Sequence, residues 1–232
     1  MNERPILFSG PMVRAILEGR KTQTRRVVKN LEMFGDEHDD GTVDLADVEV
    51  HWTETGHSGP GYYAWCGEYP DEGSEIIKCP HGTVGDRLWV RESFRLSTGS
   101  QGDHNGVVTF RDGASKIIYW QDGHRIHDRY GFIEKDSPKA MRPRPSIHMP
   151  RWASRITLEI TGIRVERVKE ISVKDAIAEG IKQVGQPYIA RNTWVLRDFR
   201  DLWDSINASR GFGWDSNPWV WVIEFKRVGG DK

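Results

Sequence analysis

The sequence predicts an α+β fold: a small, mixed, mostly antiparallel β-barrel with a few short helices and two long insertions. Three observations predict it. Alternating hydrophobic runs recur at 87–92, 156–165 and 219–225, the period of strands with one buried face. Helical periodicity is short everywhere except at 199–206. Strand-like and helix-like runs do not alternate as a parallel βαβ sheet requires, and no internal repeat is visible. Closure into a barrel is the economical arrangement, because it removes exposed strand edges.

From the N-terminus, Pro5-Ile6-Leu7-Phe8 is an apolar run too short to classify by period. Ser9 or Gly10 caps a helix that tolerates Pro11 in its first turn and places Met12, Val13, Ile16 and Leu17 on an apolar face. Gly19 stands where a left-handed residue ends that helix, so Lys21–Arg26 runs out of it toward a strand through Val27 and Val28. Residues 30 to about 80 are acidic and turn-rich, yet Trp52, Tyr62, Tyr63 and Trp65 make them an ordered insertion. After the Gly85-Asp86 turn, Arg87 to Glu92 alternates as a strand. A second insertion covers about 95–148. Within it, 107–111 and 116–120 flank Asp112-Gly113 as a hairpin, and the Pro-containing stretch 121–148 reads as loop. The run from Ile156 to Val168 is the longest strand signal, with Gly162 as an interruption. Ser172 to Asp175 is a helix start of capping-box type, and that short helix ends at Gly180. Phe199, Leu202, Trp203 and Ile206 form an amphipathic stripe that ends at Gly211 or Gly213. Trp219 to Phe225 closes the series as a strand.

The length, 232 residues, fits one domain carrying the two insertions. Hydrophobic residues at 37% can fill a core, which excludes wholesale disorder. The net charge of −1 provides no global basic field, so a nucleic-acid role must rest on a local patch. No apolar run approaches the ~20 residues of a membrane span, and Met1-Asn2-Glu3-Arg4-Pro5 lacks the apolar core of a signal peptide. Two cysteines make no disulfide framework. The expectation is a cytoplasmic protein without membrane association.

One stretch stands apart. Glu18-Gly19-Arg20-Lys21-Thr22-Gln23-Thr24-Arg25-Arg26 gathers four cations, two hydroxyls, an amide and a carboxylate just after an apolar helix. Such a stretch is either a solvated turn whose cations complement a helix dipole or a site. As a site, it offers hydroxyls beside an amine, Lys21, whose pKa falls if Arg20, Arg25 and Arg26 converge on it. Successive strand residues face opposite ways, so Lys21 and Thr24 need a bend to meet.

A second constellation is Arg142, Arg144, Arg151, Trp152 and Arg155, where cations beside an aromatic suit phosphate contact and base stacking; the competing reading puts Trp152 in the core. Arg20, Arg25, Arg26 and Arg91 complete the candidate phosphate or base contacts. Asp86 and Glu92 are candidate ion-pair partners for the arginines of the 18–26 stretch. Cys66, Cys79 and His81, with His51 or His57 as a fourth, are zinc-type ligands. Their Cys-x-His spacing is no usual finger and no Cys-x-x-Cys occurs, so neither a metal nor another cofactor is expected. The tryptophans, Trp203, Trp219 and Trp221 above all, read as core.

The motif Ile16-Leu17-Glu18-Gly19-Arg20-Lys21-Thr22-Gln23-Thr24-Arg25-Arg26 resembles the signature of ASCH-domain proteins, which have a PUA-like β-barrel. Gly85-Asp86 with Leu88-Trp89-Val90-Arg91-Glu92, then Ala178-Glu179-Gly180, then Val220–Phe225 follow in that family's order. Met149-Pro150-Arg151-Trp152-Ala153-Ser154-Arg155 and Asn217-Pro218-Trp219-Val220-Trp221 look like the phage and prophage branch, which would place the protein in a bacterial host cell. The match covers about half the chain, and the two insertions have no counterpart in compact members. The resemblance implies an RNA-binding PUA-type fold. In some members it also implies an amidohydrolase acting on N4-acetylcytidine, with the roles of Lys and Thr in Lys-x-x-Thr falling on Lys21 and Thr24 and that of a later Glu on Glu179. The implied partner is a modified pyrimidine nucleoside or RNA. Alternatives are a non-catalytic RNA-binding module, a ribonuclease, and a phage assembly or host-interaction protein.

Overall fold

The computed structural model describes residues 1–31, 36–37, 43–44, 48–54, 60–66, 75–98, 105–110, 115–119, 144–182 and 191–229. These residues form a mixed α+β structure of sheets and short helices. The chain divides into two compact units. One comprises Met1–Glu18, Asp86–Glu159 and Arg227–Lys232; the other comprises Gly19–Gly85 and Ile160–Lys226. Elements are numbered below in chain order. No helix of the described residues is long and apolar enough to cross a membrane.

In the first unit, β1 (Glu3–Leu7) lies beside β8 (Arg87–Arg91), which in turn pairs antiparallel with the start of β12 (Thr157–Arg167). The β1–β8 pairing is parallel, Glu3 opposite Arg87 through Leu7 opposite Arg91. A parallel pair fits the mixed expectation, and the long stretch of chain between β1 and β8 allows it, since parallel neighbours need a connection far longer than a hairpin. Asn2 locks the pairing from both sides, donating its N–H to Asp86 Oδ1 at 2.7 Å and accepting the Arg87 N–H at 2.8 Å. Helix α1 (Gly10–Leu17) starts at Ser9 with Pro in its first turn, buries Val13, Ala15 and Ile16, and hands over to Gly19 at φ 72°. Strands β9 (Phe94–Thr98), β10 (Asn105–Phe110) and β11 (Ser115–Tyr119) make an antiparallel sheet in the second insertion, with the two predicted runs paired as a hairpin. Its predicted turn at Asp112-Gly113 and the stretch 121–143 lie outside the described residues. Trp89, Phe94, Met149 and Ala153 form one core cluster, with Trp152 packed against it.

In the second unit, β2 (Gln23–Val27) pairs antiparallel with β13 (Trp219–Val228), Gln23 opposite Glu224 through Val27 opposite Val220, and β13 lies beside the continuation of β12. The first insertion supplies the two-residue pair β3 (Asp36–Glu37) and β4 (Val43–Asp44) and the sheet β5 (Val48–Thr53), β6 (Gly61–Cys66) and β7 (Glu75–Ile77). Helix α2 (Val173–Ala178) is short; α3 (Arg191–Asn207) carries the predicted stripe, with Phe199 and Trp203 buried, and extends it back to buried Val195.

The two faces of β13 are covered by different things. Val220 and Val222 join Val27, Val168, Ile171, Ala176 and the α3 stripe in one apolar cluster. On the other face, Trp221 meets Tyr62 edge-on at 5.4 Å and the Trp219 indole N–H donates to Val48 O at 2.7 Å. Strand β13 is therefore buried on both faces. Gly162 does not interrupt β12, contrary to the sequence reading. A Cβ there would come within 2.8 Å of the Glu224 carboxylate, so this glycine marks a close approach and not a break.

Candidate functional site

The site is built on the C-terminal end of α2. Ser172 starts the helix: its hydroxyl accepts the Asp175 N–H at 3.1 Å and donates to the Asp175 carboxylate at 2.9 Å. The helix stops through a Schellman turn. Gly180, at φ 97°, donates to Ile177 O, and Ile181 donates to Ala176 O. Glu179 is the last residue in helical conformation, and its side chain is fixed relative to that turn.

Three carbonyls, of residues 178, 179 and 180, remain without helical donors, as at any helix end. The 18–26 stretch supplies all three in reverse order. Thr22 N–H donates to Ala178 O at 2.8 Å, the Lys21 ammonium to Glu179 O at 2.8 Å, and an Arg20 Nη to Gly180 O at 2.8 Å. Cations at a helix C-terminus also complement its dipole. The helix they complement is α2, about 160 residues on in the chain, and not the one they follow.

The Lys21 side chain is fully buried, and its Nζ lies 2.6 Å from Glu179 Oε2. The other Glu179 oxygen, Oε1, faces an Arg25 Nη at 3.4 Å. Burial drives the Lys21 pKa down; Glu179 opposes that drop, while Arg26 and Arg25 add to it. The net direction is down, toward an amine that gives up its proton more easily. Arg25 is equally buried. Its second Nη reaches Glu166 at 3.0 Å and Asp175 at 3.6 Å. Its Nε finds no acceptor among the described residues, and the guanidinium carbon lies 5.9 Å from the Phe199 ring centre. Glu166 and Asp175 both also meet Arg164, which extends to Glu224.

Thr24 is buried in β2. Alternation along the strand puts it with Arg26 on the opposite face from Gln23 and Arg25. Among the described residues its hydroxyl makes no hydrogen bond to Lys21 or Glu179. The Gln23 amide donates to Asp175 O at 3.1 Å. Half-buried Arg26 has its pKa lowered by burial, with Glu179 opposing and Arg210 adding to the effect.

The sequence-predicted residues thus fall into two groups. Lys21, Glu179, Arg20 and Arg25 come together around the end of α2. Arg91, Arg151, Trp152 and Arg155 belong to the first unit. There Arg91 stacks over the Trp89 ring at 4.7 Å, and Arg151 forms a two-pronged pair with Glu3. Arg155 does the same with buried Glu92, at 2.8 Å for both contacts. Glu92 is therefore not the partner of the 18–26 arginines: the Arg155 fork meets it first. The branch-like motifs have packing roles. Met149 and Ala153 are buried, and the Ser154 hydroxyl donates to Val90 O. Asn217, at φ 45°, precedes Pro218 and takes the Lys169 N–H on its side chain. Arg144 bridges to Phe94 through the backbone; Arg142 lies outside the described residues.

Among the described residues no group of three His, Cys, Asp or Glu side chains is placed to hold a metal ion. Of the zinc-type candidates, Cys79 and His81 are half-buried, while the Cys66 side chain and His57 lie outside the described residues. Sequence reasoning missed Glu166, Asp175, Arg164 and Glu224. The available signal was Arg164-x-Glu166, a pair of opposite charges on the strand face that carries Leu158 and Ile160.

No family model and no curated protein matches the chain. Among solved structures it is similar to an ASCH domain from Lactobacillus crispatus JV V101, with a TM-score of 0.37 and 12% identity, over 97% of this chain and 79% of that one.

Proposed function

We propose that the chain is a PUA-like ASCH protein of the phage-type branch, a single barrel domain with two insertions. Its cleft takes a modified pyrimidine nucleoside or an RNA nucleotide and hydrolyses an N-acyl amide on the base. One observation carries the reading: a fully buried ammonium, Lys21, hydrogen-bonded at 2.6 Å to the buried carboxylate of Glu179. A buried ion pair is a weak source of stability, because desolvating two charges offsets their attraction. What burial does favour is an ammonium that gives up its proton more easily, held beside a fixed carboxylate.

In the proposed step the Lys21 amine takes the proton of the attacking hydroxyl while its oxygen bonds to the acyl carbon. The carbonyl pair moves to oxygen. Collapse then breaks the C–N bond, and the proton returns to the departing N4 amine, through Lys21 or from Glu179. Water completes the hydrolysis, leaving cytidine and a carboxylic acid. Thr24, three residues on from Lys21 and buried, is the candidate for the attacking hydroxyl.

The test is turnover of N4-acetylcytidine by wild type, Lys21→Ala and Thr24→Val. Release of cytidine that Lys21→Ala abolishes supports the reading. Loss in Thr24→Val assigns the nucleophile to Thr24, and retained activity assigns it to water. No turnover by wild type, or turnover indifferent to Lys21, overturns the enzymatic reading. A second reading, a non-catalytic RNA-binding module, is favoured by the three carbonyl contacts of residues 20–22, which by themselves account for much of the motif. It predicts salt-dependent RNA affinity without turnover.

A further inference from the structure

Arg25 reads from sequence as a contact for substrate or RNA. Its surroundings argue otherwise. Its side chain is 1% exposed, and its two Nη groups face Glu179, Glu166 and Asp175. With both Nη groups on carboxylates and its remaining Nε buried, the guanidinium has no exposed edge to offer a phosphate.

The contacts form an alternating series. Lys21 meets Glu179, Glu179 meets Arg25, Arg25 meets Glu166 and Asp175, and both of those meet Arg164, which ends on Glu224. Side-chain exposure grows along it, from 5% at Glu179 through 21% at Glu166 to 45% at Glu224. The series is therefore anchored in the core and screened by water at its far end. Within it the two Glu179 oxygens are divided, Oε2 on Lys21 and Oε1 on Arg25. A carboxylate held by one oxygen can rotate about its last torsion, a broad and soft one. Held by both, it keeps one oxygen on the ammonium.

We infer that Arg25 is a positioning residue: it holds Glu179 Oε1 so that Oε2 stays on Lys21, and Glu166 and Asp175 hold Arg25 in turn. The inference rests on the reading of Lys21 and Glu179 as the proton-handling pair, and it replaces a substrate-contact role for Arg25. The charged groups whose fields act on Lys21 are Glu179 from the end of α2 and Arg26 and Arg25 from β2; Arg210, in the turn after α3, acts on Arg26.

Opposite effects on Lys21 follow. Removing the Arg25 charge frees the whole Glu179 carboxylate for Lys21 and takes away a repelling cation, so the Lys21 ammonium holds its proton to higher pH. Removing the Glu166 charge leaves Arg25 less neutralised and pulls Glu179 toward it, so Lys21 loses its proton at lower pH. The measurement is the pH titration of the Lys21 side chain by NMR in protein with 13C- and 15N-labelled lysine, its resonance assigned by its loss in Lys21→Arg. Arg25→Gln is expected to move the midpoint up, Glu166→Gln down, and Arg25→Lys to return it toward wild type. Equal midpoints in all variants, or shifts of one sign in both charge-removing variants, overturn the inference. If Arg25→Gln does not fold, Glu166→Gln decides it: a lowered midpoint supports the inference, and an unchanged or raised one overturns it.

The outcome is separable from that of the proposed activity. The titration reads the pair whether or not N4-acetylcytidine is turned over. If it is, Arg25→Gln is expected to lower kcat at pH 7 roughly tenfold with KM little changed, the pattern of an interaction needed in the transition state and not for binding. A rise in KM alone would return Arg25 to substrate contact.

Discussion

Replacing Glu179 by Gln tests the central pair most directly. The amide keeps the shape of the carboxylate but offers two donors where Lys21 and Arg25 both need acceptors. One oxygen cannot serve both cations, so a buried charge is left without its counter-charge. Breaking a buried pair in this way costs about 3–5 kcal/mol. The molecule has one escape, which is to bury Lys21 as a neutral amine. From an ordinary pKa of 10.5, neutralising an ammonium at pH 7 costs about 5 kcal/mol, so the penalty is bounded near that figure. The bound brings a pH signature. Lys21 already has a folded-state pKa below its unfolded value, and losing Glu179 lowers it further. Between the folded and unfolded pKa values the unfolded chain binds more protons, so stability rises with pH there, by up to about 1.4 kcal/mol per unit. That window opens at lower pH in Glu179→Gln than in wild type, so the gap between them narrows as pH rises from 7 toward 9. Urea unfolding followed by tryptophan fluorescence and far-UV circular dichroism measures it. A penalty below about 1 kcal/mol that does not change with pH would refute the argument, because it would mean that water reaches the pair.

Two further outcomes test the surroundings. Ser172→Ala removes the cap of α2 and is expected to cost about 1 kcal/mol at pH 7. Asp175 sits below its ordinary 3.8 because Ser172, Arg25, Arg164 and Gln23 outweigh its burial, so the stability it contributes is present above its unfolded pKa and lost as pH falls through the folded one. The deficit of Ser172→Ala at pH 7 should therefore shrink in urea melts below about pH 4. In the first unit, Arg155→Ala leaves buried Glu92 without its fork and should cost about 2–4 kcal/mol. Arg151→Ala, whose pair with Glu3 is roughly 40% exposed on both sides, should change stability by less than about 1 kcal/mol; comparable losses in the two melts would show that exposure does not separate these pairs.

Local chemistry made the elements readable. Ser172-x-x-Asp175 followed by Gly180 specifies both ends of α2 without any tertiary context, and the 199–206 stripe and the final strand declare themselves by period. Pairings that depend on distant segments left no local mark. Nothing in Glu3–Leu7 announces a parallel partner at Arg87–Arg91, and the glycine rule failed at Gly162 because the constraint there is the Glu224 side chain of another strand. The site divides in the same way. That Lys21, Thr24 and Glu179 deserve notice is legible from the motifs. That Arg20, Lys21 and Thr22 cap a helix far along the chain is not, since the same residues would serve equally to end the helix they follow.

The physical origin of the site lies in what covers one sheet face. Gln23, Arg25 and Val27 alternate on one side of β2, opposite Glu224, Val222 and Val220 of β13. At the Val27–Val220 end that face meets α3 and its Val195, Phe199 and Trp203, and apolar side chains fill it. At the Gln23–Glu224 end it meets the last turn of α2, where carbonyls converge with no helical donors. Apolar residues there would leave those acceptors buried and unpaired, at about 1–3 kcal/mol each. The Thr22 N–H, Lys21 and Arg20 meet them, and the buried Lys21 ammonium then requires an anion, Glu179; Arg25, on the same carboxylate, takes Glu166 and Asp175 as well. The helix end accounts for the presence of charge, but not for Glu179 being shared between two cations while burial lowers the Lys21 pKa. A cap alone needs one donor per carbonyl; a carboxylate divided between an arginine and a buried amine goes beyond that need, and the proposed proton transfer would use it.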